Sequence, residues 1–204
     1  MDKSVTSTKK FYDKNAALWT RSKTNSFHHE KQFRKLLELW PEKGTILDIG
    51  CAAGIHVPLF LGIGRKLKYL GIDISNSFLK IARLRYPQLT FLQANIEDKS
   101  ALPRKKFDGF WASAVLMHVP LEHWEKMFKN IENTQKQKSY GYLTLPTEHP
   151  SKEPNNTDSR HFTLLDAADQ VTIIKKLGWK IHSKGIMDGT TKTQMWRWYI
   201  VQLP

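Results

Sequence analysis

Two acids and a turn of small residues carry the most legible chemistry in this sequence. Asp48 lies in a short apolar run, Ile46-Leu47-Asp48-Ile49, which breaks into Gly50-Cys51-Ala52-Ala53-Gly54. Asp73 ends a second apolar run, Tyr69-Leu70-Gly71-Ile72. A short apolar run, a glycine-punctuated turn opening a helix and a second run ending in an acid describe the first βαβ unit of a doubly wound sheet. There the acid reaches the two hydroxyls of a ribose.

The turn narrows the ligand. A dinucleotide site takes G-x-G-x-x-G, so that backbone amides can approach a pyrophosphate. From Gly50 this chain reads G-x-A-x-G, and Ile55 stands at the third glycine position. A carboxylate at Asp48, just before the turn, would repel a pyrophosphate and favour a cation. A ribose and an adenine with a cationic tail fit this pattern, and S-adenosylmethionine (SAM) has that shape.

The elements that must hold these residues follow from pattern. Residues 1–8 are polar and read as a frayed end. Helices are expected over 9–19 and 27–40, the second stopped by Pro41. Strands are expected near 45–49, 68–72, 89–93, 107–112 and 139–145. Between them fall a helix from Gly54 to about Gly64, one over 76–85 capped by Ser75, and one from Pro120 to about Asn133. Thr163 is read as the cap of a last helix that ends at Gly178, followed by strands near 179–185 and 195–202. Alternating strands and helices predict an α/β fold with a doubly wound, mostly parallel sheet. No repeat or linker divides the chain. Residues 1–204 read as a single domain, with 1–44 an N-terminal helical extension or lid on a core of 45–204.

ILDIGCAAG (46–54), YLGIDIS (69–75), FLQANIED (91–98) and FDGFWASAVLMHVP (107–120) together resemble the core of a class I SAM-dependent methyltransferase. The resemblance implies a Rossmann-like sheet of seven strands with the last antiparallel. It implies SAM as cofactor and S-adenosylhomocysteine (SAH) as product. By motif, Gly50, Cys51, Ala52 and Gly54 form the turn beside the methionine tail, and Asp48 orients that turn or its waters. Asp73 takes the ribose hydroxyls and Ile74 packs on adenine. Asn95 accepts from the adenine amino group, Ile96 offers its backbone amide, and Ala112 lines the methyl-donor end. Two departures stand out. Ala52 replaces the usual central glycine, a cost if the position needs positive φ. Gln135-Lys136-Gln137-Lys138-Ser139 replaces the common proline-glycine-glycine turn, which leaves the start of the fifth strand open.

Methyl transfer from a sulfonium needs mainly alignment in a water-poor pocket. A base is needed only where the acceptor must lose a proton. His118 is the candidate, against a role in shaping the pocket. Arg160 and His161 could bind an anionic substrate or pack a loop; Tyr12 and Trp19 could close as a lid or pack as ordinary core. Trp196 and Trp198 alternate with Arg197 and read as core or pocket wall. Cys51 reads as a small buried residue rather than a nucleophile. His28-His29 has no second ligand pair at zinc spacing, so no metal site is expected.

The formal charge is +13 and Cys51 is the single cysteine. The cationic excess would attract phosphate-rich partners, or would be scattered solvated surface. With no apolar run of spanning length, a soluble, cytoplasmic protein without a membrane partner is expected. Three functions remain open: methyl transfer to a small molecule, methyl transfer to RNA or tRNA, and SAM binding without catalysis.

Overall fold

A computed structural model describes residues 3–22, 29–62, 64–147, 159–188 and 195–204. Its frame is a seven-stranded sheet built from β1 (Lys43–Ile49), β2 (Lys66–Asp73), β3 (Thr90–Gln93), β4 (Phe107–Ala112), β5 (Gln135–Pro146), β6 (Lys180–Asp188) and β7 (Met195–Gln202). The spatial order is β3-β2-β1-β4-β5-β7-β6. β1 to β5 pair in parallel, and β7 runs antiparallel to both β5 and β6. The expected doubly wound sheet with an antiparallel last strand is therefore present.

Strand alternation sorts the core into two layers. Leu47, Ile49, Phe110 and Ala112 point to the layer that Met127, Phe128 and Ile131 of α5 (Trp124–Thr134) fill together with Ile174 of α6 (Ala167–Lys176). Ile46 and Trp111 point the other way. They meet Phe33 and Leu36 of α2 (Glu30–Leu39), Val57 and Phe60 of α3 (Val57–Leu61), and Leu79 and Ala82 of α4 (Asn76–Arg85). Each large apolar side chain buried this way contributes about 1.5–3 kcal/mol. α4 starts where its cap predicts: the Ser75 side chain accepts from Phe78 N at 3.2 Å.

Four expectations need correction. The amino-terminal helix α1 spans Lys3–Ser22, and its first turns are not frayed: Val5 and Thr8 are buried. The segment after Gly54 is turn until α3, which has five residues. Thr163 caps nothing. Its hydroxyl donates to Val119 O at 2.7 Å, while Asp166 caps α6 by accepting from Ala168 N and Asp169 N. β5 begins at Gln135, ahead of the expected 139, and Lys138 takes φ 56° within it. Residues 23–28, with His28, and 148–158 lie outside the described residues.

Candidate functional site

A cavity of about 640 Å³ lies along the carboxyl ends of the parallel strands. Ligands of doubly wound sheets bind at this edge, where β1 and β4 diverge. Its wall runs from Asn95 and Glu97 after β3, past Asp73 and the Gly50–Ala52 turn, to Ser113 and Thr144, and on to Met187 of β6 and Trp196 of β7.

The first half of this wall is braced by Asp73. Its two carboxylate oxygens accept from Ala52 N at 2.9 Å and Ser75 N at 2.8 Å, tying the turn after β1 to the loop before α4. Each oxygen keeps a lone pair for a further donor. Burial pushes the Asp73 carboxyl up to about 6 against the pull of these amides. Gly50 has φ 70°, and a Cβ there would sit 2.4 Å from Val115 Cγ2. Ala52 does occupy the left-handed region, with φ 47°, so the methyl group strains the turn at a cost of roughly 1 kcal/mol.

The structure revises several assignments on this half. Asp48 is not on the wall. By strand alternation its side chain points beneath the turn, where Oδ2 accepts from the Tyr69 hydroxyl at 2.6 Å and Oδ1 has no partner. Burial, with Asp73 nearby, raises its carboxyl to about 7, so a full negative charge beside the ligand is the wrong picture. Gly54 and Ala112 also stand off the wall. Gly54 closes the turn through its N–H to Cys51 O at 2.9 Å. Ala112 faces the core, and the residues after it, Ser113, Ala114 and Val115, take its expected place. Asn95 and Ile96 are on the wall, but the Asn95 oxygen already accepts from Glu97 N at 3.0 Å. Glu97 itself went unread. One of its oxygens meets His123 Nδ1 at 2.7 Å, and the other is buried without a partner on a residue that lines the cavity. The acids of NIED were its only sequence signal. Cys51 and Ile74 line the cavity; burial raises the Cys51 thiol, which fits an inert residue.

α1 roofs the cavity. Tyr12 and Trp19 both line it, with ring centroids 5.5 Å apart in an edge-on contact. Asp13, ion-paired to Lys9, accepts from Ser75 Oγ at 2.7 Å and Ser77 N at 3.2 Å and latches α1 to the start of α4. His118 Nδ1 lies 2.7 Å from His161 O, a carbonyl that can only accept, so Nδ1 donates. Nε2 of the neutral ring then accepts the Tyr12 hydroxyl at 2.8 Å, and Tyr12 in turn accepts from Arg160 Nη1 at 3.0 Å. The Arg160 guanidinium lies 4.7–5.4 Å from the ring centroids of Phe11, Tyr12, Trp19 and Phe162. His161 is off the wall and acts through its backbone, its N–H donating to Thr8 Oγ1 at 2.9 Å.

The far half of the wall was not foreseen, except for Trp196. His29 Nδ1 lies 2.9 Å from the Tyr142 hydroxyl and Nε2 lies 3.2 Å from Ser113 Oγ. The His56 ring stands edge-on to His29 at 5.2 Å and to Trp111 at 5.6 Å. Trp198, by contrast, is core, under Lys35.

Residues 46–138 match the family described as "Methyltransferase domain". The match likens this stretch to a methyltransferase domain. It holds the Gly50 turn, Asp73, Asn95, Glu97 and His118, while α1, α2 and the far strands lie outside the match. The chain is 33% identical over 106 residues to trans-aconitate 2-methyltransferase of Afipia carboxidovorans, covering 50% of this chain and 41% of that protein. The chain spans less than half the length of the first curated relatives it matches. Its fold is that of magnesium protoporphyrin IX methyltransferase from Synechocystis PCC 6803, solved with bound SAH. The TM-score is 0.73 at 16% identity, over 98% of this chain and 100% of that one. The [4+2]-cyclase SpnF is as similar, with TM-score 0.73 at 13% identity over 96% and 94%. No helix among the described residues is long and apolar enough to cross a membrane.

Proposed function

We propose that this chain binds SAM and transfers its methyl group to a small-molecule acceptor. The observation that carries the reading is Asp73: a carboxylate at the carboxyl end of β2, on the cavity wall, with lone pairs left after bracing the turn. Those lone pairs suit two ribose hydroxyls. Ile74 and Phe78 offer apolar faces to adenine, and the unpartnered Glu97 oxygen is a better acceptor for the adenine amino group than Asn95. The Gly50–Ala52 turn would hold the methionine tail, with Ser113 and Ala114 beside the methyl group. The relatives' names and the neighbour solved with SAH point the same way.

The chain's own contribution to the reaction is alignment and exclusion of water under α1. Tyr12 and His118 form a phenol–imidazole pair on the wall that can pass on a proton when the acceptor carries one; the same pair fastens α1 shut. RNA as acceptor loses support, because among the described residues lining the cavity Arg160 is the only lysine or arginine.

Calorimetry with SAM and SAH tests the cofactor half of this proposal. Saturable binding of both is expected; folded protein that gives no heat with either rejects it.

A further inference from the structure

The acceptor end of the cavity has a chemistry of its own. Beyond the ends of β4 and β5 its wall is Ser113, His29, His56, Thr144, Met187 and Trp196. Thr144 is already spent: its hydroxyl accepts from Ala114 N at 2.8 Å and holds that residue at φ 55°. His29 is held between Tyr142 and Ser113. His56 differs from all of these. It sits just before α3 and makes no side-chain cap hydrogen bond there. Its ring touches His29 and Trp111 edge-on, yet among the described residues neither ring nitrogen has a hydrogen-bond partner. A half-buried imidazole on a cavity wall with one donor and one acceptor unused is a binding group waiting for a ligand.

We propose that His56, backed by His29 and walled by Met187 and Trp196, is the recognition point for the methyl acceptor, and that this acceptor is an uncharged molecule with a hydrogen-bonding group on an apolar body. The proposal rests on the reading of the other half as the SAM site, since it assigns the remaining half to the second substrate.

Charge decides between a neutral and an anionic acceptor. The charged residues on the described wall are Asp73, Glu97 and Arg160; the first two lie on the adenosine side and the third under α1. Among the described residues, none faces the end formed by β5, β6 and β7. His56 cannot supply the missing cation, because burial and the neighbouring His29 hold it down at about 3 and keep it neutral. A carboxylate placed here would give up its hydration for two neutral rings and a thioether, whereas a carboxamide or hydroxyl would exchange its water bonds for the His56 nitrogens. Trans-aconitate, a polycarboxylate, is the acceptor named for the relatives, but the matched family stretch ends at residue 138, short of Met187 and Trp196, and starts after His29.

Benzamide and benzoate, identical in shape and different in charge, test this by saturation-transfer NMR and titration at pH 7.5, with and without SAH. Benzamide should bind saturably and about fivefold or more tighter than benzoate. His56→Phe, which keeps the ring and removes both nitrogens, should weaken benzamide by about threefold or more while leaving SAH affinity unchanged, and His56→Gln should restore it. Unimpaired SAH binding by His56→Phe also certifies that the variant folds. Benzoate binding as tightly as benzamide, no saturable benzamide binding, or an indifferent His56→Phe would overturn the proposal. If SAH does not bind the native chain, the cofactor reading fails, but the benzamide titration on unloaded protein still reads this subsite.

Discussion

The two halves of the cavity are built in different ways. On the half proposed to hold adenosine, the turn after β1, Asp73, Asn95 and Glu97 come from consecutive strand ends, each within one β-α step of the next. On the half proposed for the acceptor, His29 precedes α2, His56 precedes α3, Ser113 follows β4, and Met187 and Trp196 arrive on an antiparallel pair. The first half is a local grammar repeated along the sequence; the second exists only once distant segments meet. The first half also hides its charge strain beneath the surface, in Asp48 under the turn. The second keeps its ionisable ring, His56, neutral on the wall.

That contrast gives the largest expected effect, in the pH dependence of stability. Asp48 titrates near 7 when folded against about 4 in an unfolded chain. A folded value raised above the unfolded one contributes stability below about pH 4, and this is lost as pH climbs towards 7. His56, lowered to about 3, acts in the opposite sense: its stability is present above about pH 6.5 and is lost as pH falls towards 3. Melting temperatures between pH 4 and 8 should show Asp48→Asn flattening the alkaline loss, an effect of a few kcal/mol. His56→Phe should flatten the acid loss alone. If both variants altered the same arm, the halves would not differ as described.

Second in size is Asp73→Ala, expected to weaken SAH by about 1–3 kcal/mol in calorimetry, because a charge-assisted acceptor and the brace on Ala52 are lost together. An affinity equal to that of the native chain would place the ribose elsewhere. Next comes the roof. Tyr12→Phe removes the hydroxyl between His118 and Arg160, so amide exchange along α1 should speed up by about 1 kcal/mol of lost protection. Exchange unchanged throughout α1 would show that the Asp13 and Thr8 hydrogen bonds and packing hold it without the Tyr12 hydroxyl. The smallest effect is Ala52→Gly. Relief of φ 47° should raise stability by up to about 1 kcal/mol, and a drop in melting temperature would mean that the turn carries no strain.

How much was legible follows from the same contrast. Strand period and cap chemistry located β4 and α4 to the residue, and the motif order located Asp73. Local sequence could not tell Thr163 from Asp166 as a cap. Both are good capping types, and what decided was a tertiary bond, the Thr163 hydroxyl to Val119 O. Ala112 was placed too early because it still faces the core at the end of β4, and the wall begins at Ser113, just before Ala114 turns to positive φ, held by Thr144 from the next strand. His29 and His56 carried no signal. Nothing in a histidine before a helix says that Tyr142 and Trp111, from distant strands, will meet it. The basic charge left a polyanionic partner or scattered solvated surface open, and the cavity wall, where among the described residues Arg160 is the only lysine or arginine, does not support the first.

A crystal structure with SAH bound bears most directly on the central claim. The account predicts both ribose hydroxyls on Asp73, adenine between Ile74 and the Glu97 side, and the sulfur facing Ser113 with the His56 end of the cavity still open. SAH lying at the His56 end, or its ribose away from Asp73, would contradict it.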